Sequence, residues 1–257
     1  MKKVDQRCYT NTTLYKIDPT YSSAMPIDHD IPDPTHVSEG EFAKSKNTRT
    51  RILEAALTLL AEKGYAATST PAVAEQAGLS RTAMLYHFPS RAALMEAVIH
   101  YVTRRRVELQ EETQAHLPRD ANFRFQSVES HWEQLQSPEF RAFCQLSLAA
   151  STDAELAAVF KPALEAFDRS RREMALKLAE PALANKPGFD LKRDINRFLL
   201  EGIAQQDGIT FNQQERMNNI IAFIKLCWSD EGQEFIEQAL TNPAHSKDKQ
   251  KNKQKNK

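Results

Sequence analysis

The sequence is poor in the residues and segments that mark several common protein classes. It has only 7 glycines in 257 residues, and its 3 cysteines, Cys8, Cys144 and Cys227, lie far apart in no metal-binding spacing. An odd number of dispersed cysteines is typical of a reduced, cytoplasmic protein rather than of a disulfide framework. No run of 18 or more apolar residues occurs, and no apolar run follows the basic first residues. We therefore expect no secretion signal, no membrane-spanning helix and no membrane partner.

The motifs of common catalytic and cofactor sites are missing as well. There is no glycine-rich phosphate loop, no histidine pair at metal-ligand spacing and no nucleophile elbow. We therefore expect no enzymatic activity, no cofactor and no metal. The chain does have long stretches rich in Ala, Leu, Glu and Gln, and 41% of its residues are hydrophobic, which is enough for a core. These stretches predict an all-α protein.

The net charge of zero conceals an uneven distribution along the chain. Residues 44–107 hold 10 basic and 4 acidic residues, a net charge of +6. The flanking segments 1–43 and 108–243 have net charges of −3 and −8, and the end, 244–257, has +5. A basic block ahead of an acidic body indicates that one end of the protein meets a polyanion.

The two ends of the chain differ from the segments between them. Residues 1–43 show no helical or strand period and contain four prolines, so we expect a flexible N-terminal extension. Residues 244–257 are a low-complexity basic tail that we expect to be disordered; it either aids solubility or contacts DNA weakly. Between them, 44–107 and 108–243 are expected to form two helical domains.

The first of these domains contains a predicted helix-turn-helix. The segment TSTPAVAEQAG predicts a short helix that begins after Ser69 or Thr70 and ends at Gly78. Ser80 then caps a second short helix over 81–87. Two short helices joined by a tight glycine-containing turn are the core of many DNA-binding domains.

The second short helix has two different faces. Met84 and Phe88 lie one turn apart and are expected to pack on Val73 and on Leu59 or Leu60. The opposite face is then free to enter the major groove of DNA. That face consists of Arg81, Thr82, Leu85 and Tyr86.

In this region the sequence resembles the TetR family of bacterial transcription repressors. The resemblance lies in residues 48–98, TRTRILEAALTLLAEKGYAATSTPAVAEQAGLSRTAMLYHFPSRAALMEAV, where EKGY, VAEQAG, LSR, YHF and SRAAL occur in combination. It implies an N-terminal helix-turn-helix domain followed by a C-terminal helical domain for ligand binding and dimerisation. It further implies a homodimeric repressor that releases operator DNA when an unidentified small-molecule effector binds.

The resemblance also implies which side chains meet DNA. Arg81 and Thr82 match family positions that contact bases or the nearby backbone, whereas the other matching positions contact phosphates or the backbone. Thr70 and Ser80 are helix caps as well. A packing role for Tyr86 and a hydrogen bond from His87 to a local carbonyl are the alternatives. The full expected set is Thr70, Ser80, Arg81, Thr82, Tyr86, His87 and Arg91. Leu85 and Pro71 depart from the residues usual in the family, so the operator sequence does not follow.

Five aromatic residues and one cysteine in the second domain are candidates for the lining of a ligand pocket. Such residues line apolar cavities between helices, but each also fits an ordinary core. They are Trp132, Phe140, Phe143, Cys144, Phe160 and Phe167. The polar neighbours His131 and Gln145 fit a role in orienting a ligand.

The last long helices carry an apolar seam. In the TetR family, two such helices from each subunit form a four-helix dimer interface, and an intramolecular core is the alternative. The residues of this seam are Leu199, Ile203, Ile220, Phe223, Ile224 and Trp228. The run TRRR at 103–106 is expected on a solvated helix face.

Two other functions compete with a ligand-responsive repressor. One is a TetR-like DNA-binding protein with an architectural or protein-partner role and no small-molecule inducer. Screening ligands for release of DNA distinguishes it from the repressor. The other is an enzyme, for which no motif in the sequence argues.

Overall fold

The computed structural model describes residues 31–36, 43–117, 123–178, 188–206 and 212–241, which contain ten helices and no strand. The helices are α1 (Ala43–Lys63), α2 (Thr70–Gln76), α3 (Arg81–His87), α4 (Arg91–His116), α5 (Phe123–Gln134), α6 (Pro138–Ala150), α7 (Ala154–Leu178), α8 (Phe189–Ala204), α9 (Gln213–Cys227) and α10 (Asp230–Thr241). The all-α prediction is confirmed. The predicted tail, 244–257, and much of the predicted extension lie outside these ranges. None of the helices described is both long and apolar enough to cross a membrane.

Serine caps and one glycine set the ends of the first helices. The hydroxyls of Ser69, Ser80 and Ser90 each accept a hydrogen bond from the backbone N–H three residues further on. Thr70, the other predicted cap, is instead the first residue of α2. Gly78 turns the chain between α2 and α3 with φ of +64°, a conformation that a side chain disfavours. These signals produce the predicted helix-turn-helix.

One hydrophobic core runs through the head, formed by α1–α3 and the start of α4, and into the remaining helices, the body. Met84 and Phe88 are fully buried in the same cluster as Leu60 and Val73, so their predicted packing is confirmed. The cluster continues into α6 and α7. α1 packs on α6, and α4 packs on α6 and α7. The head is therefore joined to the body through packed side chains as well as through the chain itself.

The last helices form a second layer of contacts. α8 packs against α9 and α5, and α9 also packs against α5 and α10. Leu200 of α8 and Ile224 of α9 are fully buried and belong to the main core cluster. This layer is therefore attached to the rest of the body by apolar contacts.

Residues 31–36 pack on the body, which differs from the flexible extension predicted over 1–43. Ile31 is only 2% exposed and contacts a small apolar cluster at the α4–α7 junction. The other buried members of this cluster are Val107, Ala166 and Phe167. A single isoleucine can fill such a site without any periodic pattern, which is why periodicity did not reveal it.

Arginines also hold this segment. Arg104 Nη1 donates to the carbonyl of Ile31 at 2.9 Å, and Arg49 Nε donates to the carbonyl of Pro34 at 3.0 Å. Arg104 belongs to the TRRR run, whose predicted position on a solvated face is wrong. Thr103 and Arg106 of that run are both buried. The run faces the body because α4 is covered by neighbouring helices along this stretch.

Replacing Ile31 tests whether the segment contributes to stability. Ile31→Ala should lower the free energy of unfolding by about 2 kcal/mol, the low end for a buried large-to-small change, because a short peripheral segment relaxes readily. Urea unfolding followed by helical circular dichroism measures this change. His36→Ala, at an exposed position of the same segment, is the control and should change stability by less than about 0.5 kcal/mol. Equal effects of the two changes would show that the segment is not docked.

Candidate nucleic-acid interface

The outward face of α3 is exposed and polar, above an inner face that is buried. Arg81 and Thr82 are exposed in its first turn, and Tyr86 is 75% exposed near its end. Leu85 is 39% exposed beside them, while Met84 is fully buried on the opposite side. The structure thus brings the predicted recognition residues together on one free surface.

The C-terminal end of α3 is fixed by an arginine from α1. Arg49 Nη1 donates to the carbonyl of His87 at 3.3 Å, and its guanidinium lies 4.7 Å from the centre of the Phe88 ring. The rings of Tyr86 and His87 meet edge to face at 5.1 Å. These contacts hold α3 in place, so its N-terminal residues are presented in a fixed orientation.

Arg91 supports the interface from the start of α4. Its Nη1 donates to the carbonyl of Thr68 at 2.9 Å and its Nη2 to that of Tyr65 at 3.4 Å. The guanidinium also lies 4.9 Å from the centre of the Tyr65 ring. Arg91 therefore braces the turn that leads into α2. A guanidinium has five N–H donors, so these bonds leave donors for a phosphate.

The two hydroxyl residues of the predicted set lie at helix starts. Ser80 is exposed, and its Oγ accepts from Ala83 N at 3.2 Å. Thr70 is half-buried in the first turn of α2. A hydroxyl that accepts a backbone hydrogen bond keeps its own proton, so Ser80 can still donate to a phosphate. Helix starts also attract phosphates through their free N–H groups.

The sequence reasoning missed two arginines that position the interface. Arg49 holds α3, as described, and Arg51 Nη2 donates to the carbonyl of Ala77 at 2.6 Å, which ties α1 to the end of α2. Both lie in the N-terminal half of α1, next to its apolar stripe. In the sequence, the only indication of this role was that both arginines lie next to the apolar stripe of α1. No cluster of three or more potential metal ligands occurs in the part of the chain that the structure describes.

The helix-turn-helix matches a known family of DNA-binding domains. Residues 52–98, which run from α1 into α4, match the family model for bacterial regulatory proteins of the tetR family. Residues 52–98 therefore form a helix-turn-helix domain of the TetR type. TetR-family regulators bind operator DNA and act as dimers.

Two curated proteins are similar to part of the chain. The uncharacterized HTH-type transcriptional regulator YvkB of Bacillus subtilis (strain 168) is 37% identical over 73 residues, which are 28% of this chain and 39% of that protein. The nucleoid occlusion factor SlmA of Marinomonas sp. (strain MWYL1) is 37% identical over 59 residues, 23% of this chain and 30% of that protein. The similarity spans less than two fifths of either relative.

Solved structures resemble a larger part of the fold. A putative TetR-family transcriptional regulator from Rhodococcus sp. has a TM-score of 0.51 and 16% identity, over 71% of this chain and 100% of that one. A putative transcriptional regulator from Pseudomonas aeruginosa PAO1 has a TM-score of 0.52 and 15% identity, over 77% of this chain and 96% of that one. At these identities the likeness is one of fold, and it extends from the head into the body.

The predicted pocket residues divide into core residues and cavity-lining residues. Phe143 packs against Phe140 and Phe160, with ring centres 6.3 and 5.5 Å apart, and all three rings are buried. Trp132 and Cys144 are half-buried against the main core. Of the six predicted residues, only Phe140 and Phe167 line the cavity described below. Of the two polar candidates, His131 lines it as well.

The predicted dimer seam is partly exposed and partly internal. Leu199 and Phe223 are exposed, whereas Ile203 and Ile220 are half-buried. Ile224 is fully buried in the chain's own core, so its assignment to a dimer surface is corrected.

Trp228 packs mainly within the chain. Its ring meets Phe189 edge to face at 6.1 Å, and Lys192 Nζ lies 4.6 Å from the ring centre. The sequence reasoning also missed five exposed apolar residues on the last helices, Leu191, Phe198, Leu226, Phe235 and Leu240. Phe198 and Leu226 lie close in sequence to Leu199 and Phe223 of the predicted seam, and this proximity could have revealed them.

Proposed function

We propose that the protein is a homodimeric transcriptional repressor that binds operator DNA through α3 and releases it when a small molecule binds the body. The observation that carries this proposal is the free face of α3, where Arg81, Thr82 and Tyr86 are exposed on a helix whose other side is buried. A short helix presented in this way fits the major groove. The net charge of +6 over 44–107 favours its approach to DNA.

An exposed apolar surface supports the dimer. Phe198 and Leu199 of α8 are exposed, as are Phe223 and Leu226 of α9, and the two helices pack side by side. Clusters of exposed large apolar residues of this kind are typical of protein interfaces. A twofold dimer through this face carries two copies of α3, which must lie roughly 34–36 Å apart to enter successive major grooves.

The packing of the head supports control by a ligand. Because α1 packs on α6, and α4 packs on α6 and α7, a shift of these body helices displaces the head. A coupling free energy of about 1–3 kcal/mol would weaken DNA binding roughly 5–150-fold, and DNA would weaken ligand binding by the same factor.

One observation favours the alternative without an inducer. The cavity that the structure describes between Arg106, His131 and Arg171 has a volume of about 20 Å³. Small-molecule sites usually measure about 300–1,000 Å³, so this one must enlarge to hold an effector. If no effector site opens in the body, the alternative function is that of a TetR-like DNA-binding protein with an architectural or protein-partner role. Screening small molecules for release of operator DNA distinguishes the two functions.

Replacing Arg81 tests the DNA-binding surface. An operator is first selected from a random duplex library with the wild-type protein. Arg81→Ala should then weaken binding to that duplex by about 1–3 kcal/mol, as the loss of a base contact does. Fluorescence anisotropy at fixed salt measures the affinity, and a scrambled duplex reports nonspecific binding. Arg172→Ala, at an exposed position on α7, controls for the lost charge. Wild-type affinity of Arg81→Ala would place the recognition surface elsewhere.

Replacing Phe223 tests the dimer. Phe223 is 51% exposed on α9, and a carboxylate at this position opposes burial against a second subunit. Phe223→Glu should therefore sediment as a monomer at a concentration where the wild type sediments as a dimer. Leu148→Glu is the control, because Leu148 is also a large apolar residue, 70% exposed, but lies on α6. Dissociation by Leu148→Glu and not by Phe223→Glu would move the interface away from α8 and α9.

A further inference from the structure

A small cavity in the body is lined by charged and polar side chains. Arg106 of α4, His131 and Gln134 of α5 and Arg171 of α7 form its polar side. This lining differs from the apolar pocket expected from the aromatic residues. It raises the question of which ligand chemistry the site fits.

The arginines around the cavity outnumber the carboxylates that neutralise them. Arg106 donates to Glu201 Oε1 at 3.0 Å. Arg197 contacts Glu201 Oε2 at 3.4 Å and is paired with Asp168. Among the described residues, Arg171 has no carboxylate within ion-pair distance. One positive charge at the cavity is therefore left without a direct counter-charge.

Arg171 is also short of hydrogen-bond partners. Its Nη2 contacts His131 Nε2 at 3.4 Å, whereas its buried Nη1 has no partner. Burial, opposed in part by Glu201 and aided by Arg197 and Arg106, lowers the pKa of Arg171 to about 9. The guanidinium still carries its charge at neutral pH.

His131 supplies a second unused donor. It is 7% exposed, and burial together with Arg171 and Arg106 holds its pKa well below 6.5, so the ring is neutral at pH 7. Because the guanidinium of Arg171 can only donate, Nε2 accepts and Nδ1 carries the proton. Nδ1 is buried and makes no hydrogen bond of standard geometry, although a contact with the Asn196 side chain opposes the pKa shift in part.

Gln134 adds a third group of the same kind. Its Nε2 is buried and has no hydrogen-bond partner. At this one cavity Arg171 and Gln134 thus hold buried donors without acceptors, and His131 holds a third that Asn196 satisfies poorly. One of the three residues is a cation. Leaving such groups unsatisfied is costly, and an anion with two acceptor oxygens would satisfy them at once.

We propose that this cavity is the effector site and that it takes the carboxylate of a small organic acid. The head group would lie against Arg171, His131 and Gln134. The cavity, with a volume of about 20 Å³, must enlarge to take the acid, whose apolar body would then lie against its other side, formed by Leu109, Leu135, Phe140 and Phe167. The effect on DNA rests on the proposed function, whereas binding of the acid does not.

Three probes of one shape test the charge preference. Benzoate, benzamide and benzamidine carry charges of about −1, 0 and +1 at neutral pH on nearly the same frame. Melting temperature and calorimetric titration are measured for the full chain without DNA, at matched ionic strength. Benzoate should raise the melting temperature in a dose-dependent way, benzamide less, and benzamidine not at all. Equal effects of the three probes would overturn the proposal.

Two further anions distinguish an organic acid from an inorganic oxyanion. Acetate has the same head group without the apolar body, and phosphate has neither a carboxylate nor an apolar body. Both should bind more weakly than benzoate, since they leave the apolar side of the cavity uncovered. Phosphate binding as tight as that of benzoate would overturn the assignment to an organic acid.

Variants assign the binding to this cavity. Arg171→Gln should weaken benzoate binding roughly 10–100-fold, as the loss of a charge-assisted hydrogen bond does. It should still fold, because it removes a buried cation that has no paired carboxylate. Arg172→Gln removes the same charge from an exposed position of the same helix and should leave benzoate binding unchanged. If Arg171→Gln fails to fold, Gln134→Leu should also weaken benzoate binding. Unchanged binding in the folded cavity variant would overturn the proposal.

Operator release is measured separately from benzoate binding. Benzoate binding that depends on Arg171 supports the anion site even if the affinity for operator DNA stays the same. In that case the ligand-responsive part of the proposed function fails and the site remains. If benzoate does not bind while Arg81-dependent DNA binding persists, the site fails and the DNA-binding function remains.

Discussion

The buried ion pair between Arg106 and Glu201 connects α4 to α8, and the packing of the body depends on this connection. Arg106 lies on α4, the helix that leaves the DNA-binding head, and Glu201 lies on α8, which carries part of the exposed apolar face. Both side chains are at least nine-tenths buried. The guanidinium also lies 3.9 Å from the centre of the Phe143 ring and 4.3 Å from that of Phe167. Four helices therefore meet at one charged group.

A buried ion pair of this kind stabilises the fold only when both charged side chains are present. Removing two charges from water costs several kcal/mol for each ion, and their attraction offsets this cost only when both remain in place. Glu201 has a second donor in Arg197, so its charge is shared by two arginines. The pair thus specifies which helices meet, and it leaves Arg171 as the cation that an anionic ligand would balance. The proposed ligand site, the head and the proposed dimer face are therefore all connected to the same group of charged side chains.

The head was predictable from the sequence because its signals are local. Ser80 and Gly78 mark helix ends through backbone geometry alone. The body was less predictable because its decisive contacts are distant in sequence. Arg106 follows Val102 at the four-residue spacing of the buried stripe of α4, but its charge suggested solvent. Ile224 fitted a dimer seam and an internal core equally, and only the packing of α9 on α5 and α8 places it inside.

A double-mutant cycle on Arg106 and Glu201 tests this central ion pair most directly. The free energy of unfolding is measured by urea for Arg106→Met, Glu201→Leu and the double variant. Glu201→Leu should cost about 3–5 kcal/mol, because it leaves Arg106 buried without a counter-charge. Arg106→Met should cost less, because Glu201 keeps Arg197 as a partner. The double variant should be markedly more stable than the sum of the two single effects predicts. Additive effects, or a loss below about 1 kcal/mol for Glu201→Leu, would contradict the role given to this pair.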